Sequence, residues 1–212
     1  MAKKSHGPEQ IITAALHLAA EKGWRTLSLA DVAEQAAVPL AELVEHFPSK
    51  GAILDAYVRR VDSRMMEGGI DRDESPRDRL FEVIMRRFDA MAADRTALER
   101  ILRQSADDPW SVLCGGRRFL HSMALALETA GISSSGLPGL VKTNAVAAIY
   151  LYSFKTFLAD DSADHARTMA ALDKGLRRAE DWAALIFRQK AHTRTMRHPA
   201  ESGDQTKPNG LV

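Results

Sequence analysis

The chain has 212 residues, of which 45% are hydrophobic and 27% charged, with a formal net charge of +1. That size suits one ordinary domain or a small domain fused to a larger one, and the charge balance favours neither nucleic acid nor membrane as a partner. No apolar run reaches the roughly 20 residues that span a bilayer. The N-terminal "MAKKSHGPEQ" lacks the apolar segment of a secretory signal. The single cysteine, Cys114, cannot close an internal disulfide and is a poor start for a zinc site. Together these point to the cytoplasm.

Strand-type alternation is absent, and Ala, Leu, Arg and Glu dominate, so the expected fold is all-α. A first helix starts at Pro8, carries Ile11, Ile12, Ala15, Leu16 and Ala19 on one face and ends at Gly23. Ser28 and Asp31 make a capping pattern that starts a second helix at Leu29. "AAVP" interrupts it. Pro39 then opens a third helix through Phe47, and Pro48 stops that one. Ser49 caps a fourth helix, with Ile53, Leu54, Tyr57 and Val61 on its apolar face, which fades at Gly68 and Gly69.

A charged connector runs from Asp71 to Asp78, where Ser75, Pro76 and Asp78 again form an N-cap signature. Further helices are expected over residues 76–93, 97–105, 109–114, 116–130, 138–159 and 163–190. "GISSSGLPG", residues 131–139, is the clearest internal loop. The chain divides into a three-helix head (1–50), a linking helix (51–70), a larger helical body (71–190) and a disordered polar tail (191–212).

No catalytic, metal or cofactor constellation emerges. Asp71, Asp73, Ser75 and Glu82 fit a calcium-loop frame, but Pro76 stands where the turn needs glycine. "GISSSG" has Ser135 where a nucleophile elbow needs glycine and Leu137 where a phosphate loop needs lysine. The histidines form no ligand pair at helical spacing. Asp160 and Asp161 precede a helix and suit N-terminal capping rather than acid–base work. The sequence points away from an enzyme.

The segment "IITAALHLAAEKGWRTLSLADVAEQAAVPLAELVEHFPSKGAILDAYV" resembles the head of the TetR family of transcriptional regulators. The resemblance rests on its apolar spacing together with Gly23, Ser28, Ala33, Phe47, Ser49 and Lys50. It implies a homodimer whose last two long helices pair with those of a second subunit. It also implies DNA binding in the major groove and a small apolar or lipid-like effector in the body. Ser28 and Lys50 stand where the family meets phosphates, and Pro39, Leu40, Glu42 and His46 stand on the exposed face of its recognition helix. The Thr and Tyr common in that helix are replaced here by Glu42 and Val44. Residues 1–50 hold five basic and six acidic side chains, an unusual balance for a surface that meets phosphates.

Residues 144–183, "NAVAAIYLYSFKTFLADDSADHARTMAALDKGLRRAEDWA", resemble the C-terminal part of the coenzyme Q biosynthesis accessory proteins. Those share the TetR fold and bind lipids and isoprenes without repressing DNA. The resemblance implies the alternative of a lipid-binding protein linked to ubiquinone biosynthesis, with peripheral membrane contact through its C-terminus. Beyond residue 187, five basic and two acidic side chains without a sustained apolar face suit a solvated tail. Under either relative, Met85, Phe88, Met91, Trp110, Phe119, Met123, Tyr150, Phe154 and Phe157 are the candidate lining of an apolar pocket, because Met and aromatic side chains adapt to irregular guests.

Overall fold

The computed structural model describes residues 7–105 and 109–196, and the side chains of 7–104 and 116–182. Nine α-helices make up the described chain: α1 (Gly7–Lys22), α2 (Leu29–Gln35), α3 (Leu40–His46), α4 (Lys50–Met66), α5 (Pro76–Met91), α6 (Arg95–Ser105), α7 (Pro109–Thr129), α8 (Gly136–Leu158) and α9 (Ala166–Met196). A single 3-10 turn, Ala92–Asp94, joins α5 to α6.

The helix starts follow local chemistry. Ser28 accepts from the Asp31 amide while the Asp31 carboxylate accepts from the Ser28 amide, closing a capping box on α2. Ser49 accepts from the Ala52 amide at the start of α4, and Ser75 from the Asp78 amide at the start of α5. Gly23 ends α1 with φ +88°, the left-handed conformation that glycine adopts without strain.

Several expected boundaries differ. Pro39 and Phe47 flank α3 as its caps. The expected helices over 109–114 and 116–130 are one, α7, running through Gly115 and Gly116. Two glycines lower helix propensity by about 1 kcal/mol each relative to Ala, and tertiary packing overrides that. The last helix continues to Met196, past the expected end at residue 190. Of the expected tail, residues 197–212 lie outside the described residues.

The buried apolar side chains form one cluster from Ile11 to Leu176. In the head, α1 packs on α2, α3 and α4. Ile11, Leu16, Val32 and Leu43 are buried between them, each burial stabilising by about 1.5–3 kcal/mol. Helix α4, about 25 Å long, runs from the head into the body, where it packs on α5 and α7. A second junction is made by α6 against α1. There Gln104 Oε1 accepts from the Arg25 amide at 2.7 Å and Arg100 Nη1 donates to the Glu21 carbonyl at 2.9 Å. The closest long pairing is α8 with α9, where a Cβ on Gly175 would stand 2.6 Å from Ile149 Cγ2.

Candidate functional site

The head presents α3 at its surface. Leu43 is fully buried and Phe47 nearly so. With Leu43 pointing inward, the 3.6-residue period puts Ala41 and Glu45 on the opposite, outermost face. Leu40 and Val44 flank it on one side, with 46% and 42% of their surface exposed. Glu42 and His46 flank it on the other, next to the start of α1. A Cβ on Gly7 would lie 3.6 Å from Glu42 Oε1 and 4.0 Å from His46 Nε2. Pro39 is exposed at the N-cap. The residues expected on the recognition face are therefore spread around the helix, and Glu45 is the carboxylate that points most directly away from the core.

The other two candidate phosphate contacts are already engaged within the head. The Ser28 hydroxyl donates to the Asp31 carboxylate as well as capping α2. That hydrogen bond, with the one from the Ser28 amide, holds the Asp31 carboxyl below the usual carboxylate range. Lys50 turns back over the loop after α1. Its Nζ donates to the Trp24 carbonyl at 2.9 Å and the Arg25 carbonyl at 3.3 Å, and sits 5.5 Å from the centre of the Trp24 ring. Partial burial lowers its pKa. Beside the head, a depression of about 580 Å³ between α1, α3 and α4 carries His46, Arg59, Arg60 and Arg64 along with Glu9 and Glu67. Arg60 is committed there, bonding Glu9 at 3.0 Å and facing Asp94 at 3.6 Å.

In the body, the candidate pocket residues converge. Phe88 stacks on Tyr150 with ring centres 5.1 Å apart and lies 5.1 Å from Phe157 and 6.4 Å from Phe154. Phe119 stands 5.5 Å from Tyr150. Met91 and Met123 are buried in the same core, and Met85 is half-buried against it. The Trp110 side chain lies outside the described residues.

This cluster encloses a polar hub. Arg87 of α5, buried, pairs with the buried Asp62 of α4. Arg87 Nε donates to the Tyr150 hydroxyl at 3.2 Å, and its guanidinium lies 5.5 Å from that ring's centre. Ser122 of α7 donates to the other Asp62 oxygen at 2.7 Å. Burial pushes the Tyr150 hydroxyl up from its ordinary pKa. Tyr57, one helical turn and a residue before Asp62 on α4, is buried too. Burial and the nearby Asp94 carboxylate raise its pKa, yet its hydroxyl makes no hydrogen bond of normal geometry.

The outer face of α8 is apolar and exposed. Leu137, Leu140, Val141, Leu151 and Tyr152 each expose more than half of their surface, and Ala145 and Ala148 continue the stripe between them. Trp182 of α9 is 68% exposed.

Residues 11–57 match the family described as bacterial regulatory proteins of the tetR family. A TetR transcriptional regulator from Nitrosomonas europaea is 25% identical, with a TM-score of 0.70, covering 82% of this chain and 97% of its own. The chain has a TetR-like fold. A TetR regulator from Rhodococcus sp. RHA1 is 20% identical over 82% of this chain and 98% of its own, with a TM-score of 0.57. Thermus thermophilus FadR, a TetR-family repressor whose structure contains lauroyl-CoA, is 17% identical over 80% of this chain and 91% of its own, with a TM-score of 0.52. No curated protein sequence matches the chain.

Within the TetR-like body, aromatic residues singled out in the sequence meet in one cluster, and Asp62, Arg87 and Ser122, which the sequence did not single out, lie with them. The signal for Arg87 was present. Leu80, Val83, Ile84, Phe88 and Met91 make the buried stripe of α5, and Arg87 occupies a position within it. A charge at an apolar-stripe position has to find a partner or lose its ionisation. Among the described residues, no group of His, Cys, Asp and Glu could hold a metal ion, and no helix is long and apolar enough to cross a membrane.

Proposed function

We propose that the protein is a dimeric, ligand-responsive DNA-binding regulator of the TetR type. The observation that carries this reading is the head, where residues 11–57 combine the family match with a capped helix-turn-helix mounted on the long α4. The exposed apolar stripe of α8 supports a homodimer formed through α8 and α9. Water-exposed leucines in a continuous row suit a helix face that packs on another helix. The Met and aromatic cluster of the body supports an apolar or amphipathic effector, as does lauroyl-CoA in one structural relative. An effector that prefers one arrangement of α4 shifts the spacing of the two heads and so changes operator affinity. The fold and the absence of any motif for chemistry both support a regulator over an enzyme.

The acidic α3 surface, with the Ser28 hydroxyl engaged in its own helix cap and Lys50 turned back onto the Trp24 and Arg25 carbonyls, favours one second reading: a TetR-fold lipid- or isoprenoid-binding accessory protein linked to ubiquinone biosynthesis, without DNA binding. Capture of genomic fragments by the purified protein at low salt separates the two. The regulator retains specific fragments, including DNA upstream of its own gene. The accessory protein retains none and carries lipid or isoprenoid through purification.

A further inference from the structure

The depression beside the head holds cations that the head does not use. Its α4 wall is one helical stripe, in which Ala56, Arg59, Arg60, Ser63, Arg64 and Glu67 recur at three- and four-residue steps. Glu9 of α1 and His46 of α3 line it from the other helices, and the buried Ile12 and Phe47 give it an apolar floor. Arg60 is spent on Glu9 and Asp94. Arg59 and Arg64 are exposed and make no hydrogen bond or ion pair among the described residues. Their Cα atoms, five residues apart, are separated by about 7.5 Å along the axis of α4. Each guanidinium fork fits the edge of one phosphate, and the separation suits two linked phosphates better than one. A volume of about 580 Å³ lies within the range of small-molecule sites.

We propose that this depression binds a small diphosphate-bearing anion, with one phosphate on Arg59 and the other on Arg64. The site is separate from the aromatic cluster of the body and depends neither on an effector there nor on DNA binding. Arg59 and Arg64 lie about 14 and 21 Å beyond Lys50 along α4, on the way to the body. The outermost face of α3 is that of Ala41 and Glu45. Those positions favour a free anion over the phosphates of a duplex seated on α3. The bound diphosphate offsets the repulsion between two like charges on one helix face. A ring N–H of His46 is a further donor at the edge of the site, so the anion ties the end of α3 to α4.

The test is calorimetric titration of the full-length protein with inorganic pyrophosphate and with orthophosphate, at low ionic strength and without divalent metal. Pyrophosphate is expected to bind at least about fivefold more tightly than orthophosphate, the scale of one further screened ion pair. Arg59→Gln with Arg64→Gln is expected to weaken pyrophosphate about tenfold, as two such pairs are lost. Arg167→Gln with Arg178→Gln removes the same charge from exposed positions of α9 and is expected to leave the affinity unchanged. All four arginines are exposed, so both double variants are expected to keep the wild-type circular dichroism. Titration of random duplex DNA distinguishes the two sources of phosphate, and there Arg59→Gln with Arg64→Gln is expected to match wild type. No binding of pyrophosphate by wild type, equal affinity for the two anions, or equal weakening by the two double variants overturns the proposal. A DNA salt slope lowered by about two in Arg59→Gln with Arg64→Gln alone also overturns it and assigns the pair to the DNA backbone.

Discussion

Lys50 is a cation at the base of the head whose charge is spent inward, on the Trp24 and Arg25 carbonyls. It works as a clamp holding the loop after α1 against the start of α4. Lys50→Gln is expected to lower stability by about 1–2 kcal/mol, a hydrogen bond to a charged donor reduced by its partial exposure to solvent. The slope of log affinity against log salt for DNA should stay unchanged, because no phosphate contact is lost. Chemical denaturation and salt-titrated anisotropy check the two halves. Glu45 acts in the opposite sense, since it points directly away from Leu43 and meets any groove first. Glu45→Gln is expected to strengthen low-salt binding to random DNA roughly two- to fivefold, the range of a single exposed charge interaction. Glu42→Thr should give a smaller gain, because Glu42 sits beside the start of α1. Equal gains from the two would place both carboxylates at the same distance from the phosphates.

At the scale of elements, the join between α8 and α9 depends on Asp160. Its buried carboxylate accepts from the Thr168 amide and hydroxyl, both at 2.8 Å, and from Ser162, while Arg95 donates to its main-chain carbonyl. Burial alone would raise its pKa, but the donors more than offset that and hold it far below the usual carboxylate range. A depressed folded pKa contributes stability that is present above the unfolded value of about 3.9 and is lost as pH falls below it. Asp160→Ala is expected to cost about 1–2 kcal/mol near neutrality, as for a lost helix cap. Asp160→Asn should flatten the acid limb of the stability profile below about pH 4. Thermal melts of wild type and variant across that range measure both.

The capping pairs at Ser28, Ser49 and Ser75 were legible in the sequence because each joins residues three apart, and local chemistry decides them. Capping at Asp160 was legible only as an acidic residue placed ahead of a helix start, since its partner Thr168 lies eight residues on, inside α9. The Arg87–Asp62 hub was not. Its members lie on four helices, and "RR" beside "FD" in α5 reads as a solvated face until the packing of α4 on α5 is known. The inward turn of Lys50 was hidden likewise, since it depends on where the loop after Gly23 passes. The unbroken α7 was missed because Gly115 and Gly116 weigh against a helix locally and packing outweighs them.

At the scale of the whole molecule, two routes join head to body: the continuous α4 and the contact of α6 with α1 around Gln104. Under the proposed regulator, a change in the body reaches the head through these two supports. That change alters DNA binding only if two heads are held in register by a dimer. Placing charge in the α8 stripe should therefore abolish both dimerisation and DNA binding. Leu151→Arg is expected to sediment as a monomer and to lose at least about tenfold in operator affinity, since two linked heads gain far more than one from effective concentration. A variant that stays dimeric would move the interface away from α8.

The central claim is that this TetR-like head still meets DNA despite its acidic α3. The most direct measurement is affinity for a captured genomic fragment across a salt series. The regulator account predicts specific binding that weakens steeply with salt, with a slope of several ions released per dimer. No binding at low salt by folded, dimeric protein, or affinity that is flat with salt, would contradict it.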